Sequence, residues 1–95
     1  MSQLPYPVSA RILGYQQVSS GLGSPVPLTV PPGAKVAYVE VGAAAVRWRD
    51  DGVAPTATVG MPVAAGDALV YNAGLTAIRF IAQGGSPVLD VSYYG

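Results

Sequence analysis

The sequence predicts an all-β domain, a small antiparallel β-sandwich or jelly-roll-like barrel of seven or eight short strands. Three observations predict it. Twelve Gly and nine Pro interrupt the chain every few residues, and no stretch between them carries helically spaced apolar residues for long enough to sustain a helix. The intervening runs are rich in Val, Ile, Tyr, Phe and Trp, which pack well on a pleated surface. Turn signals separate these runs at short intervals, the spacing of sandwiches and barrels. No internal repeat is visible.

Residues 1–10, with Pro5 and Pro7, read as an extended arm ahead of a single β domain at 11–95. Leu4 and Tyr6 on that arm are candidates for docking on a neighbour. Residues 11–18 read as a strand and 19–25 as a loop. Residues 26–30 form a short strand that Pro27 assigns to an edge, since proline cannot donate to the ladder. Pro31, Pro32 and Gly33 make a tight turn.

Residues 35–41 and 45–50 read as a hairpin around Ala43 and Ala44. That register sets Val41 opposite Val46, Val39 opposite Trp48 and Glu40 opposite Arg47. Ala-Ala is poor chemistry for a two-residue turn, so a longer loop is compatible. Residues 50–66 are rich in Gly, Pro and Ala, with room for a short strand near 57–59. Residues 68–71 form a strand and 72–74 a turn. Residues 77–83 and 87–94 read as a last hairpin around Gly84-Gly85. It sets Phe80 opposite Leu89, Ile78 opposite Val91 and Arg79 opposite Asp90.

Composition narrows the function. Only 11% of the chain is charged while 51% is hydrophobic, against roughly 25% charged in an ordinary soluble domain. A chain this short cannot bury so much apolar surface alone. Part of its surface is therefore expected to be covered by other copies or by a larger assembly. Net charge is zero, so nothing favours binding to nucleic acid or to an anionic membrane. The start, Met1 to Pro5, has neither the basic nor the apolar region of a secretory signal, which points to synthesis in the cytoplasm.

Catalytic chemistry finds little to work with. The chain has no Cys and no His, which removes the strongest nucleophile and the usual general base. Lys35 is the only lysine and begins a strand. Of the carboxylates, Glu40 and Asp90 each face an arginine in the expected registers. No cofactor or metal site is expected. Asp50-Asp51-Gly52 supplies too few oxygen ligands for calcium and reads as a turn, with an Asp capping backbone N–H groups. Alternation sends Trp48 inward with Val46. An exposed Trp48 beside Arg49 and Asp51 would instead suit stacking on a sugar. Arg47, Arg49, Asp51 and Tyr94 are the interface candidates of the β domain, Arg and Tyr being frequent at interfaces. Of Tyr93 and Tyr94, one should point inward and one outward.

The run Val46-Arg47-Trp48-Arg49-Asp50-Asp51-Gly52-Val53-Ala54-Pro55-Thr56-Ala57, then Gly60, Pro62 and Gly66-Asp67, forms one pattern. It continues in Ile78-Arg79-Phe80-Ile81-Ala82, Leu89, Val91 and Ser92-Tyr93-Tyr94. Over residues 26–94 the chain resembles small proteins encoded among the virion genes of tailed bacteriophages and prophages. Some of these are head decoration (cement) or minor capsid proteins. The resemblance implies a non-enzymatic virion protein that forms a homo-oligomer, a trimer for instance, and binds the major capsid protein or another virion protein. The alternative is a glycan- or receptor-binding module of a tail or fibre.

Overall fold

Short β-branched and aromatic runs between Gly and Pro set eight strands in the computed structural model, which describes residues 11–95. They are β1 (Ile12–Val18), β2 (Val26–Pro27), β3 (Val36–Gly42), β4 (Val46–Arg49), β5 (Met61–Val63), β6 (Ala68–Tyr71), β7 (Arg79–Ala82) and β8 (Val88–Tyr94). The arm expected at residues 1–10, with Leu4 and Tyr6, lies outside the described residues.

The pairing is nested. β1 pairs with β8, β2 with β7, β3 with β6 and β4 with β5, all antiparallel. The chain is thus one long hairpin with β4 and β5 at its tip. Rolling it up brings β8 beside β3 and β7 beside β4. Two four-stranded sheets result, in the orders β1-β8-β3-β6 and β2-β7-β4-β5. This is the winding of a jelly roll, and the all-β sandwich expected from the sequence is what forms.

Both expected hairpins are replaced by crossings between sheets. β3 and β4 belong to different sheets. Glu40 lies opposite Asp90 and Ala68, while Arg47 lies opposite Ile81 and Pro62. β7 and β8 also separate, so Arg79 faces Pro27 and Arg49 while Asp90 faces Gln17 and Glu40. The reason is geometric. Residues that alternate inward share one face in a hairpin and face each other across the interior in a crossing. Either way Val39, Val41, Val46, Phe80 and Leu89 point inward, and all are at most 1% exposed. Ala43, at φ 68°, and Gly85, at φ 69°, turn the chain at the two crossings. The short strand expected near 57–59 forms instead at Met61–Val63, and the 26–30 strand shrinks to Val26–Pro27.

The core lies between the sheets. Ala37, Val39, Val41, Leu89, Val91 and Tyr93 from the first sheet meet Val46, Phe80 and Ile78 from the second sheet and the approach to β7. Burying such side chains stabilises the domain by about 1.5–3 kcal/mol each. The Tyr93 hydroxyl donates to Gln16 Oε1 at 2.7 Å, so its burial leaves no unmet polar group. The second sheet has Pro27 and Pro62 in its two edge strands, β2 and β5. Each proline withholds a donor and discourages further pairing.

Candidate functional site

The candidate sites of this fold lie on the outer faces of the two sheets. On the second sheet, Arg47, Arg49 and Arg79 point outward from β4 and β7, on the face opposite to Val46 and Phe80. The segment 50–60, the one connection that stays within a sheet, folds back over them. Arg47 donates from Nε to Ala57 O at 3.1 Å and from Nη1 to Gly60 O at 2.9 Å. Arg79 donates from Nη2 to Gly52 O at 3.2 Å. Arg49 grips Asp51 through two nitrogens, at 3.0 and 2.5 Å. This contact raises the Arg49 pKa and holds the Asp51 carboxyl below its usual range, in both cases chiefly through the hydrogen bond.

The loop's own residues complete the lock. Asp51 Oδ1 accepts from Val53 N at 3.4 Å and Gly52 sits at φ 83°, the capped turn expected from the sequence. Pro55 is fully buried. Gly60 adopts φ 143°, where a Cβ would stand 3.1 Å from Trp48 O and 3.2 Å from Arg47 Cβ, so the close approach requires glycine. Three interface candidates, Arg47, Arg49 and Asp51, therefore spend their hydrogen bonds within the chain. The pattern running from Arg47 through Gly60 describes a folded loop.

Beside the loop opens a depression of about 480 Å³, lined by Trp48, Arg49, Asp50, Asp51, Val59, Gly60 and Met61. Trp48 is half-buried. One side packs on the core and meets Tyr71 edge-on, with ring centroids 5.8 Å apart. The inward orientation expected from alternation is observed, with part of the ring left in the depression. Tyr71 is fixed in turn: its hydroxyl donates to Asp50 Oδ2 at 2.6 Å and accepts from Gly74 N at 3.0 Å. Burial, then the Asp50 carboxylate, pushes the Tyr71 pKa up.

Among the described residues no loop of this kind covers the outer face of the first sheet. The registers place Ile12, Tyr94 and Val36 in one row across it, Tyr15, Ser92, Tyr38 and Val70 in the next, and Gln17, Asp90, Glu40 and Ala68 in a third. A register shift between Ile12 and Gly14 makes Leu13 the extra residue, which packs on the core while Ile12 stays outside. Ile12 is 78% exposed, Tyr15 65% and Val70 38%. Solvated sheet faces are ordinarily polar. Tyr15 Oη donates to Asp90 Oδ1 at 2.6 Å, and Gln17 Nε2 donates to the same oxygen at 2.9 Å. These bonds hold the Asp90 carboxyl below its usual pKa, Tyr15 contributing most. Tyr15, Tyr38, Glu40, Asp90, Ser92 and Tyr94 line an open depression of about 290 Å³.

Tyr93 points inward and Tyr94 outward, as alternation requires, but Tyr94 is only 7% exposed. It forms part of the floor of this face and is not a projecting anchor. Sequence reasoning missed Ile12, Tyr15 and Val70 as surface features. The alternation of β8 does send Asp90, Ser92 and Tyr94 outward, but it gives no sign that β1 and β3 lie on either side. Among the described residues no group of three or more His, Cys, Asp or Glu could hold a metal ion, and no helix is long and apolar enough to cross a membrane. No protein-family model matches the chain, and no curated protein or solved structure matches it either.

Proposed function

We propose that the chain is a non-enzymatic assembly protein of a phage virion, a head decoration or cement protein that self-associates and binds the capsid surface. One observation carries the reading: the outer face of the β1-β8-β3-β6 sheet leaves Ile12, Tyr15 and Val70 exposed among the described residues. Covering such a face stabilises an assembly through apolar burial, and tyrosine is a frequent interface residue. The resemblance over residues 26–94 supplies the kind of assembly. Jelly rolls recur among capsid proteins and lectins, an analogy at the level of fold only. The experiment is to determine the mass in solution and to search purified particles for the protein by mass spectrometry. The reading expects an oligomer in solution and a stoichiometric presence in particles. A monomer absent from particles would overturn it.

The depression beside Trp48 favours a second reading, a glycan-binding module of a tail or fibre. A partly exposed indole, the Arg49–Asp51 pair and apolar Val59 and Met61 line one concavity, of a size suited to a small ligand. Titrating Trp48 fluorescence with host surface oligosaccharides separates the two. A saturable change supports glycan binding, and a flat response removes it.

A further inference from the structure

The depression beside Trp48 and the root of the N-terminal arm share one end of the sandwich. Gly14, Tyr93, Ala37 and Tyr71 form a row across the first sheet, at the end where β1 begins. Trp48 meets Tyr71 from the second sheet, so it stands at that end too. Beyond it the second sheet closes on a row of Pro27, Arg79 and Arg49. The arm joins at Arg11, which exchanges both backbone hydrogen bonds with Gly95. The short crossings at 43–45 and 83–87 stack β3 on β4 and β8 on β7, which sets β1 over β2. From the start of β1, the near end of β4 is therefore about 14 Å away and that of β5 about 17 Å, from the ordinary spacings of strands and stacked sheets.

The walls of the depression are apolar where they are free. Trp48 is half-buried, Val59 is 50% exposed and Met61 57%. The polar groups beside them are already engaged. Arg49 and Asp51 hold each other, and Asp50 Oδ2 accepts from the Tyr71 hydroxyl. An aromatic-walled groove of this kind suits a proline-rich segment in the polyproline II conformation, whose rings stack on the aromatic face.

The chain carries such a segment. The arm lies outside the described residues, and its sequence holds Leu4-Pro5-Tyr6-Pro7-Val8 with no charged side chain in residues 1–10. Each proline fixes its own φ and restricts the residue before it to extended backbone. The segment is thus extended before it binds and loses little freedom on docking. Without N–H groups at Pro5 and Pro7 it is a poor partner for a sheet edge, which leaves recognition through its rings. Tyr6 reaches about 17 Å from Arg11 and Leu4 about 24 Å, enough to cross the end of the sandwich. A tether this short sets an effective concentration of about millimolar, so even a weak contact is populated. We propose that the arm crosses this end of its own sandwich and seats Pro5-Tyr6-Pro7 in the depression beside Trp48. The proposal needs neither reading above, and a sugar entering the depression would displace the arm.

Two measurements on the full chain test it. Trp48 is the only tryptophan, so acrylamide quenching of its fluorescence reports on the depression alone. The variant P5G/Y6S/P7G should be quenched roughly twofold more strongly than wild type, because a tethered arm that no longer docks leaves the indole open. The chain also has no Cys, so an engineered pair reports proximity without competition. Under mild oxidant L4C/M61C should close a disulfide within one chain several-fold faster than L4C/Y15C, although Tyr15 lies nearer the root of the arm and is no less exposed than Met61. Equal quenching of variant and wild type would overturn the proposal. Closure at Met61 no faster than at Tyr15, or disulfides that join two chains, would overturn it as well, the last by assigning the depression to the arm of another copy.

Discussion

The two sheets of this domain answer the same shortage of charge in different ways. The β2-β7-β4-β5 sheet completes itself. Its strands are short, its edges carry Pro27 and Pro62, and its outer face lies under a loop pinned by three arginines. The β1-β8-β3-β6 sheet has three seven-residue strands and no proline, and its outer face keeps Ile12, Tyr15 and Val70 in solvent. The chain's polar means are concentrated where a loop must be held. The other face keeps its apolar and aromatic residues in the open, and on the proposed reading a partner covers them. Low charge over a whole sequence can thus mark one face of a domain, with the rest an ordinary folded unit.

This contrast predicts different responses to substitution. The largest effect belongs to the shared interior. Phe80→Ala removes a side chain with no exposed surface and should cost about 3–5 kcal/mol in chemical denaturation. Trp48→Ala, at a half-buried site whose ring leans on Tyr71, should cost less, roughly 1–3 kcal/mol. A loss as large as that of Phe80→Ala would mean that the depression beside it closes in solution. Arg47→Ala removes two hydrogen bonds to loop carbonyls and should cost about 1–2 kcal/mol. Its signature is local. Amide exchange should quicken over residues 52–60 and stay unchanged in β1 and β8, and exchange that rises everywhere would break the idea of a self-contained lock.

A further effect is one of pH. Burial pushes the Tyr93 pKa up to about 12, against about 10 in an unfolded chain. The neutral phenol is the form the fold accepts. Its contribution is fully present below about pH 10 and is lost as pH rises toward 12, because the unfolded state then gives up the proton first. Tyr93→Phe should flatten the stability profile across that window, at the expense of the bond to Gln16. An unchanged alkaline slope would assign the effect to another group.

The faces of the strands were legible in the sequence, and their neighbours were not. Alternation assigns Val39, Val41, Val46, Phe80, Leu89 and Val91 to the interior, and the structure buries them all. The same alternation cannot separate a hairpin from a crossing, so Ala43-Ala44 and Gly84-Gly85 suggested hairpins where the chain changes sheets. The expected pairs Glu40–Arg47 and Arg79–Asp90 were plausible but weak guides, since exposed ion pairs contribute little. Pro27 did mark an edge, and Asp51-Gly52 did mark a capped turn, because each rests on local backbone chemistry. The open face escaped notice because it joins residues from four strands. Only the nested pairing brings Tyr15, Tyr38 and Val70 into one row.

The claim that the first sheet is finished by a partner and the second by its own loop is tested most directly by sedimentation equilibrium on the wild type and the double variant I12S/Y15S. The wild type should sediment as a multiple of the 9.6 kDa chain. The double variant should sediment as a single chain with its unfolding midpoint near the wild-type value, since both side chains are mostly exposed. A single-chain wild type, or a variant that still assembles like it, would contradict the account.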